Sequence, residues 1–383
     1  MKQFSFSSTP IIDGHIHFGQ PNYRTNLIDI LDHANIERFN IVCTPHQQRL
    51  SLVPDALQLK AFHPERCYVF GGLDISTLFM APAYAGQVFM NYVDSLLEMG
   101  CDGIKMIEGK VQMRKTLPIP DFDSQVYTPY WEHMAETGTP LVFHVNDPEE
   151  FWDAERCPDW ARKMGWFYGD GTYINNEEQY RQVLSVLERH PDLNVIFAHF
   201  FFLSTQLERL AGYLDRFPNM KIDLTPGIEM YMNFSCNPQR TRDFFIKYQD
   251  RIVYGTDIGA KALLATPEIN IEPSESNLRI QLIRRFLETE GPFQLESENG
   301  FLFGDPDFVF QGIALPGDVL DKIYQLNFES SVSVAPKHLN PAAIIEECDR
   351  LEAVINAMGG MQPAQVVDGS IAKEVKAFFL SRL

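Results

Sequence analysis

Eight short apolar segments, each followed by a stretch of helical periodicity, constrain the fold of this chain more than any other feature. The segments fall at 11–19, 39–43, 67–74, 103–107, 140–145, 194–199, 220–224 and 251–257. Strands that are apolar throughout belong in a parallel sheet covered on its far face. Eight alternating units over about 250 residues suit a closed (β/α)8 barrel. An open doubly wound sheet usually carries a glycine-rich phosphate loop, and neither G-x-G-x-x-G nor G-x-x-x-x-G-K-[ST] occurs. Helices are expected at 27–35, 54–62, 84–99, 129–137, 177–190, 204–216 (with Ser204 as N-cap), 241–249 and 277–290. An irregular connection at 291–311 precedes a helix at 318–326 that closes the barrel. The reading is an α/β chain with a TIM-type barrel over 1–330 and an insertion at 147–175 after strand five. Two further helices, 341–357 and 370–383, form a C-terminal extension over 331–383 that packs on the barrel.

Barrel enzymes carry their chemistry at the C-terminal ends of the strands. Here those ends supply His15 and His17, then His144, His199 and Asp257. His15 and His17 are two residues apart on a strand and so project to one face. Imidazoles with a carboxylate form a borderline-soft nitrogen and oxygen set that suits one divalent metal, zinc first, with manganese, iron or cobalt as alternatives. Each histidine alone reads as an ordinary strand-end residue; the five converging at one mouth do not.

The net charge of −19 leaves no basic stripe for nucleic acid. No stretch has the length of an apolar membrane span, and the start has no apolar leader segment. The six cysteines are scattered, without a Cys-x-x-Cys pair. The expectation is a reduced, cytoplasmic protein acting on a small molecule, with no nucleic-acid or membrane partner.

Asp13-Gly14-His15-Ile16-His17, Phe143-His144, Phe197-Ala198-His199 and Gly255-Thr256-Asp257 resemble the metal-dependent amidohydrolase superfamily. More narrowly, they look like its amidohydrolase-related (amidohydrolase 2) branch. Glu188-Arg189-His190-Pro191-Asp192-Leu193 and Leu315-Pro316-Gly317-Asp318 have the look of that branch too. The resemblance spans about 11–327. It implies a one-metal site held by His15, His17, His144 and Asp257, with His199 beside it. Asp257 would then move the proton, and His199 would stabilise charge on a substrate oxygen. It also implies either of two reactions. The first is hydrolysis of a small ester, lactone or amide by a metal-activated water. The alternative is non-oxidative decarboxylation of a small carboxylic acid, aromatic acids included. A noncatalytic binding barrel is a third reading, and it would predict a damaged ligand set. Homo-oligomerisation through the C-terminal helices follows by analogy with the branch.

Other residues are assigned by position. Asp13 is either an orienter of the histidines or a buried strand-start hydrogen-bonding group. Lys105, on strand four, is expected to contact substrate or an acid; binuclear relatives carry a carbamylated lysine there, but the one-metal set argues against that. Arg24, in the loop after strand one, is a candidate clamp for a substrate carboxylate. Trp152 and Trp166 belong to an aromatic insertion that reads as a lid contacting substrate or as a self-contained cluster. Glu108 reads as a solvated loop carboxylate.

Overall fold

The computed structural model describes residues 6–19, 24–46, 49–260, 271–295, 307–361 and 368–383. Eight parallel strands form one sheet in chain order: β1 (Ile11–Ile16), β2 (Ile36–Val42), β3 (Cys67–Gly72), β4 (Gly103–Gly109), β5 (Leu141–Val145), β6 (Val195–Phe197), β7 (Met220–Asp223) and β8 (Ile252–Val253). β8 is short because the chain then turns to close the barrel against β1. Gly14 N–H donates to Tyr254 O (2.9 Å), Asp257 N–H to His15 O (2.9 Å) and His17 N–H to Ile258 O (2.8 Å). One edge of β1 thus pairs with β2 and the other with 254–258, so His15, His17 and Asp257 are neighbours by backbone bonding.

The strands are buried on both faces, as parallel strands under helices should be. A cluster of Ile12, Val42, Tyr68, Phe70, Val142, Ile196 and Val253 packs around Phe328, while a larger cluster joins strands to helices. Helix Ala85–Met99 shows how the outer layer is written: Phe89, Tyr92, Val93 and Leu96 face the core, and Gly100 ends the helix at φ 103°.

Several boundaries differ from expectation for identifiable reasons. β6 stops at Phe197 rather than at His199, because 199–202 form a left-handed turn. That turn delays the next helix to Leu207–Arg216, so Ser204 is not its N-cap; the Ser204 hydroxyl accepts from Asn233 instead. Helix Ile228–Cys236 was not foreseen, and Asn237 caps the following helix, Pro238–Lys247. The connection at 291–311 contains part of an antiparallel pair, Glu290–Phe293 with Phe310–Ile313; its residues 296–306, like residues 1–5, lie outside the described residues. Glu108 is fully buried in β4 and is no solvated loop residue.

The insertion after β5 and the C-terminal extension are both present. Insertion residues Phe151, Trp166 and Tyr168 pack on one another with Val111 as a separate small core. Helices Pro341–Met361 and Ser370–Leu380 contribute Ile344, Leu351, Val375 and Phe379 to the main core. Tyr92 donates to Glu347 (2.8 Å), and Arg350 pairs with Asp74 (2.6 Å). Among the described residues no helix is long and apolar enough to cross a membrane.

Candidate active site

His15, His17 and Asp257 meet at the C-terminal mouth, with one potential ligand atom from each lying within 4.8 Å of the others. Asp257 Oδ1 is 3.2 Å from His17 Nε2 and 3.7 Å from His15 Nε2. That oxygen and His17 Nδ1 are buried without a hydrogen-bond partner. A buried carboxylate oxygen left unpaired between two imidazole nitrogens is costly in a finished core and suited to a divalent cation. The donor set therefore fits the expected metal.

His199 and His144 extend this cluster. The His199 ring lies 5.9 Å from that of His15 and 4.8 Å from that of His144. His144 is outside the tight donor set: its Nε2 faces Asn146 O at 3.0 Å and Asp147 Oδ1 at 3.9 Å. Asp147 also accepts from Lys110 (2.9 Å) and from Tyr168 Oη (2.9 Å), tying the aromatic insertion to the histidine.

Two buried groups that sequence reasoning left without a role organise the site. Asp223, at the end of β7, accepts from His15 Nδ1 (2.7 Å), from His199 N–H (2.8 Å) and from the Thr225 hydroxyl (2.5 Å). Arg279, from helix Pro273–Glu288, lies 3.4 Å from Asp257 Oδ2 and 2.6 Å from Glu275. A carboxylate closing the apolar strand 220–224 was the available signal for Asp223; Arg279 sits mid-helix with nothing local to mark it.

The remaining assigned residues are placed as follows. Lys105 Nζ is 3.3 Å from His15 Nε2. Among the described residues Asp13 makes no hydrogen bond to an imidazole ring. It accepts from His15 N–H and from the backbone and hydroxyl of Thr256, which bolts β1 to the strand carrying Asp257. Arg24 is placed over Phe62, its guanidinium 3.7 Å from the ring centre, because the face of an aromatic ring attracts a cation. The guanidinium beside the cluster is that of Arg279. Trp152 donates to Ile174 O and Trp166 stacks on Phe151, so both belong to the insertion's own core.

Burial sets the protonation states. Desolvation lowers His17, takes His15 and His144 down to about 4, and takes His199 to about 3, so all four imidazoles are neutral at pH 7. Burial alone would raise Asp257, but the His17 ring facing it and the nearby Arg279 charge hold it well below the usual carboxylate range. Desolvation brings the Lys105 ammonium down to about 8. The expected result is a metal affinity that does not yet fall steeply at pH 6.5, where free imidazoles titrate, and collapses towards about pH 4, where His15 and His144 take up protons. Unfolded imidazoles titrate near 6.5, so the unfolded chain takes up protons first as pH falls. Stability of the metal-free protein therefore also drops between 6.5 and about 4. Competition with a chromophoric chelator across this range checks the first point; an affinity that already falls steeply at pH 6.5 would contradict it.

Neutral imidazoles and a carboxylate at the mouth of a parallel barrel define a metal-dependent enzyme acting on a small carbonyl- or carboxyl-bearing substrate. The chain belongs to the family described as Amidohydrolase, which it matches over residues 81–327; the His15 and His17 pair lies upstream of that segment. Among solved structures it is similar to a Staphylococcus aureus protein described as an amidohydrolase, at 14% identity and TM-score 0.52, over 84% of this chain and 99% of the other. It is similar also to 2,6-dihydroxybenzoate decarboxylase complexed with 2,6-dihydroxybenzoate, at 13% identity and TM-score 0.50, over 84% and 99%. A third is the dihydroxybenzoic acid decarboxylase of Polaromonas sp. JS666 with bound manganese and 2-nitroresorcinol, at 14% identity and TM-score 0.50, over 84% and 96%. At such identities the likeness concerns the fold. A comparison with curated proteins finds no match.

Proposed function

We propose that this chain is a non-oxidative decarboxylase of a small carboxylic acid, with His15, His17, His144 and Asp257 holding one divalent ion, zinc or manganese. The observation that carries this reading is Lys105. It is 2% exposed, sits against His15, and among the described residues makes no ion pair with a carboxylate. The carboxylates whose charge reaches it, Asp223, Asp257 and Glu108, make no direct ion pair with its Nζ, which leaves the ammonium open to a directly paired anion. At 3.3 Å from His15 Nε2, that anion lies at the reacting centre rather than at a remote recognition point. A carboxylate in that place is the group that departs in decarboxylation, whereas an ester, lactone or amide presents a neutral carbonyl there. Decarboxylases of dihydroxybenzoates with the same fold support the reading.

The chemistry needs the C–C bond to the carboxylate to break, its electron pair to stay on the substrate carbon, carbon dioxide to leave, and a proton to reach that carbon. When bound, a divalent ion supplies Lewis acidity towards substrate oxygens. Lys105 pairs with the carboxylate and orients it. The Thr225 hydroxyl donates to Asp223, so His199 Nδ1–H donates to Thr225 Oγ1 (3.0 Å) and O (3.3 Å), and the Nε2 lone pair of the neutral ring is the base left to take up a proton and pass it to substrate. Asp257, ionised and anchored by Arg279, is its partner in relaying to the substrate carbon a proton taken from solvent. For His144, with Nε2 engaged by Asn146 O, Nδ1 is the nitrogen left for a metal.

Hydrolysis is the second reading, favoured by the family's own description. One experiment separates the two. Manganese- and zinc-loaded protein is offered small carboxylic acids, with carbon dioxide as readout, and a parallel set of lactones, esters and amides. Decarboxylation is expected, falling about 100-fold in Lys105→Met through loss of a charged contact of about 3 kcal/mol, with metal content unchanged. Turnover of lactones or esters without carbon dioxide release, and indifferent to Lys105→Met, would sink the proposal.

A further inference from the structure

Four consecutive residues, His199 to Phe202, have φ between 53° and 57°, and none is glycine. Left-handed backbone is disfavoured for any residue with a Cβ, and bulky aromatic residues seldom enter it even singly. A run of four persists only where the surroundings over-determine it, and such strain concentrates at functional sites. The turn sends three successive rings in three directions. Phe200 packs outward on Phe234 and Phe245 (4.8 and 5.8 Å between centroids), and Phe201 stacks on Phe197 at 4.0 Å. Phe202 alone turns back to the site, 5.1 Å from His199 and 5.4 Å from His144.

The two outer rings are completely buried and fasten the turn to the helical layer, whereas Phe202 retains 7% exposure, as His144, His199 and Asp257 retain 6–9%. Phe202 thus keeps a little exposure beside two imidazoles that keep it too. Phe200 and Phe201 belong to the main core cluster and Phe202 does not, and what the turn delivers with that third ring is an aromatic face beside two imidazoles.

From this we infer that Phe202 is the specificity-determining wall of the substrate pocket, and that it selects a planar aromatic ring on the acid. This rests on the carboxylic-acid reading above. A flat ring against the Phe202 edge or face gains an aromatic contact beyond its buried area, while a saturated ring of similar size gains only the area.

The test is binding of benzoate and cyclohexanecarboxylate to the manganese-loaded full chain by calorimetry, in wild type and Phe202→Leu, with Phe202→Ala as a second variant. Leucine keeps most of the apolar volume and removes the π face. Wild type is expected to prefer benzoate. Phe202→Leu should weaken benzoate binding about five- to tenfold and leave cyclohexanecarboxylate within about twofold, with metal content and far-ultraviolet circular dichroism unchanged. Phe202→Ala, if folded, should weaken both ligands, benzoate more.

No benzoate preference in wild type overturns the inference, as do equal losses for both acids in Phe202→Leu. A Phe202→Leu protein that loses its metal also overturns it, because the ring would then be holding imidazoles and not substrate. A benzoate preference that vanishes in Phe202→Leu while no acid releases carbon dioxide would remove the decarboxylase reading and leave Phe202 in its role.

Discussion

Asp257→Asn is expected to leave a folded protein that has lost most of its metal and about a thousandfold of its turnover, whichever of the two reactions is assayed. The substitution keeps shape and removes charge. In the native chain Asp257 Oδ1 stands 3.2 and 3.7 Å from the Nε2 atoms of His17 and His15 without a hydrogen bond of its own. The carboxylate thus brings the only negative charge of the tight donor set, and an amide there can offer a cation a weaker, neutral oxygen at best. The loss corresponds to ~4 kcal/mol of transition-state stabilisation, of the order that mutation of a metal-polarised centre gives. The fold should tolerate it, because Arg279 keeps Glu275 at 2.6 Å when its bond to Asp257 goes, and the backbone bonds and the Asp13–Thr256 pair that join 254–258 to β1 do not involve the Asp257 carboxylate. Metal per chain by mass spectrometry, beside thermal unfolding, checks both halves. An Asp257→Asn protein with full metal and near-native turnover would remove Asp257 from the site.

What could be read from the sequence follows from how local each signal is. β1 declares itself through a run of apolar residues, and His15 and His17 through their spacing of two, because strand geometry alone carries both to one face. Backbone pairing between β1 and 254–258 then makes Asp257 their neighbour, an outcome of barrel closure and hence of the eight-unit pattern. The turn at His199–Phe202 was not legible, since no propensity rule places four left-handed residues where the sequence has three phenylalanines. Its one mark in the sequence is the bulky triplet Phe200-Phe201-Phe202 after His199. Arg24 and Arg279 make the opposite pair: both are arginines on helix faces, and only tertiary packing decides that one stacks on Phe62 and the other reaches Asp257. Asp223 had a local mark, an acid ending an apolar strand, but its partners His15 and His199 come from β1 and the turn after β6.

Asp223 is also the residue whose replacement should disturb most of the site at once. Its carboxylate receives His15 Nδ1–H, the His199 backbone N–H, and the backbone and hydroxyl of Thr225, so one buried side chain aligns β1, β7 and the left-handed turn. Burial by itself would raise its pKa, yet these contacts, His15 foremost, hold it below the ordinary value. In Asp223→Asn one oxygen becomes an N–H2 group. If the amide keeps its oxygen towards His199 and Thr225, its N–H2 faces His15 Nδ1, which must then give up its proton. The neutral ring is pushed into the tautomer with hydrogen on Nε2, the nitrogen directed at Asp257. A protonated Nε2 cannot ligate, so metal affinity should fall about 10- to 100-fold. Asp223→Ala goes further, leaving His15 Nδ1–H and the Thr225 N–H without the acceptor they share and the His199 N–H with Thr225 Oγ1 alone, at about 1–3 kcal/mol for each buried donor left unpaired. That protein is expected to be several kcal/mol less stable by urea unfolding of the metal-free form, and the Asn variant much less affected. The contrast between the variants is the informative part. If Asp223→Asn binds manganese as tightly as wild type, the bond to His15 does not set the ring's tautomer. If instead both variants lose stability equally and neither loses affinity beyond that, Asp223 is a fastening of the barrel and has no hold on the metal site.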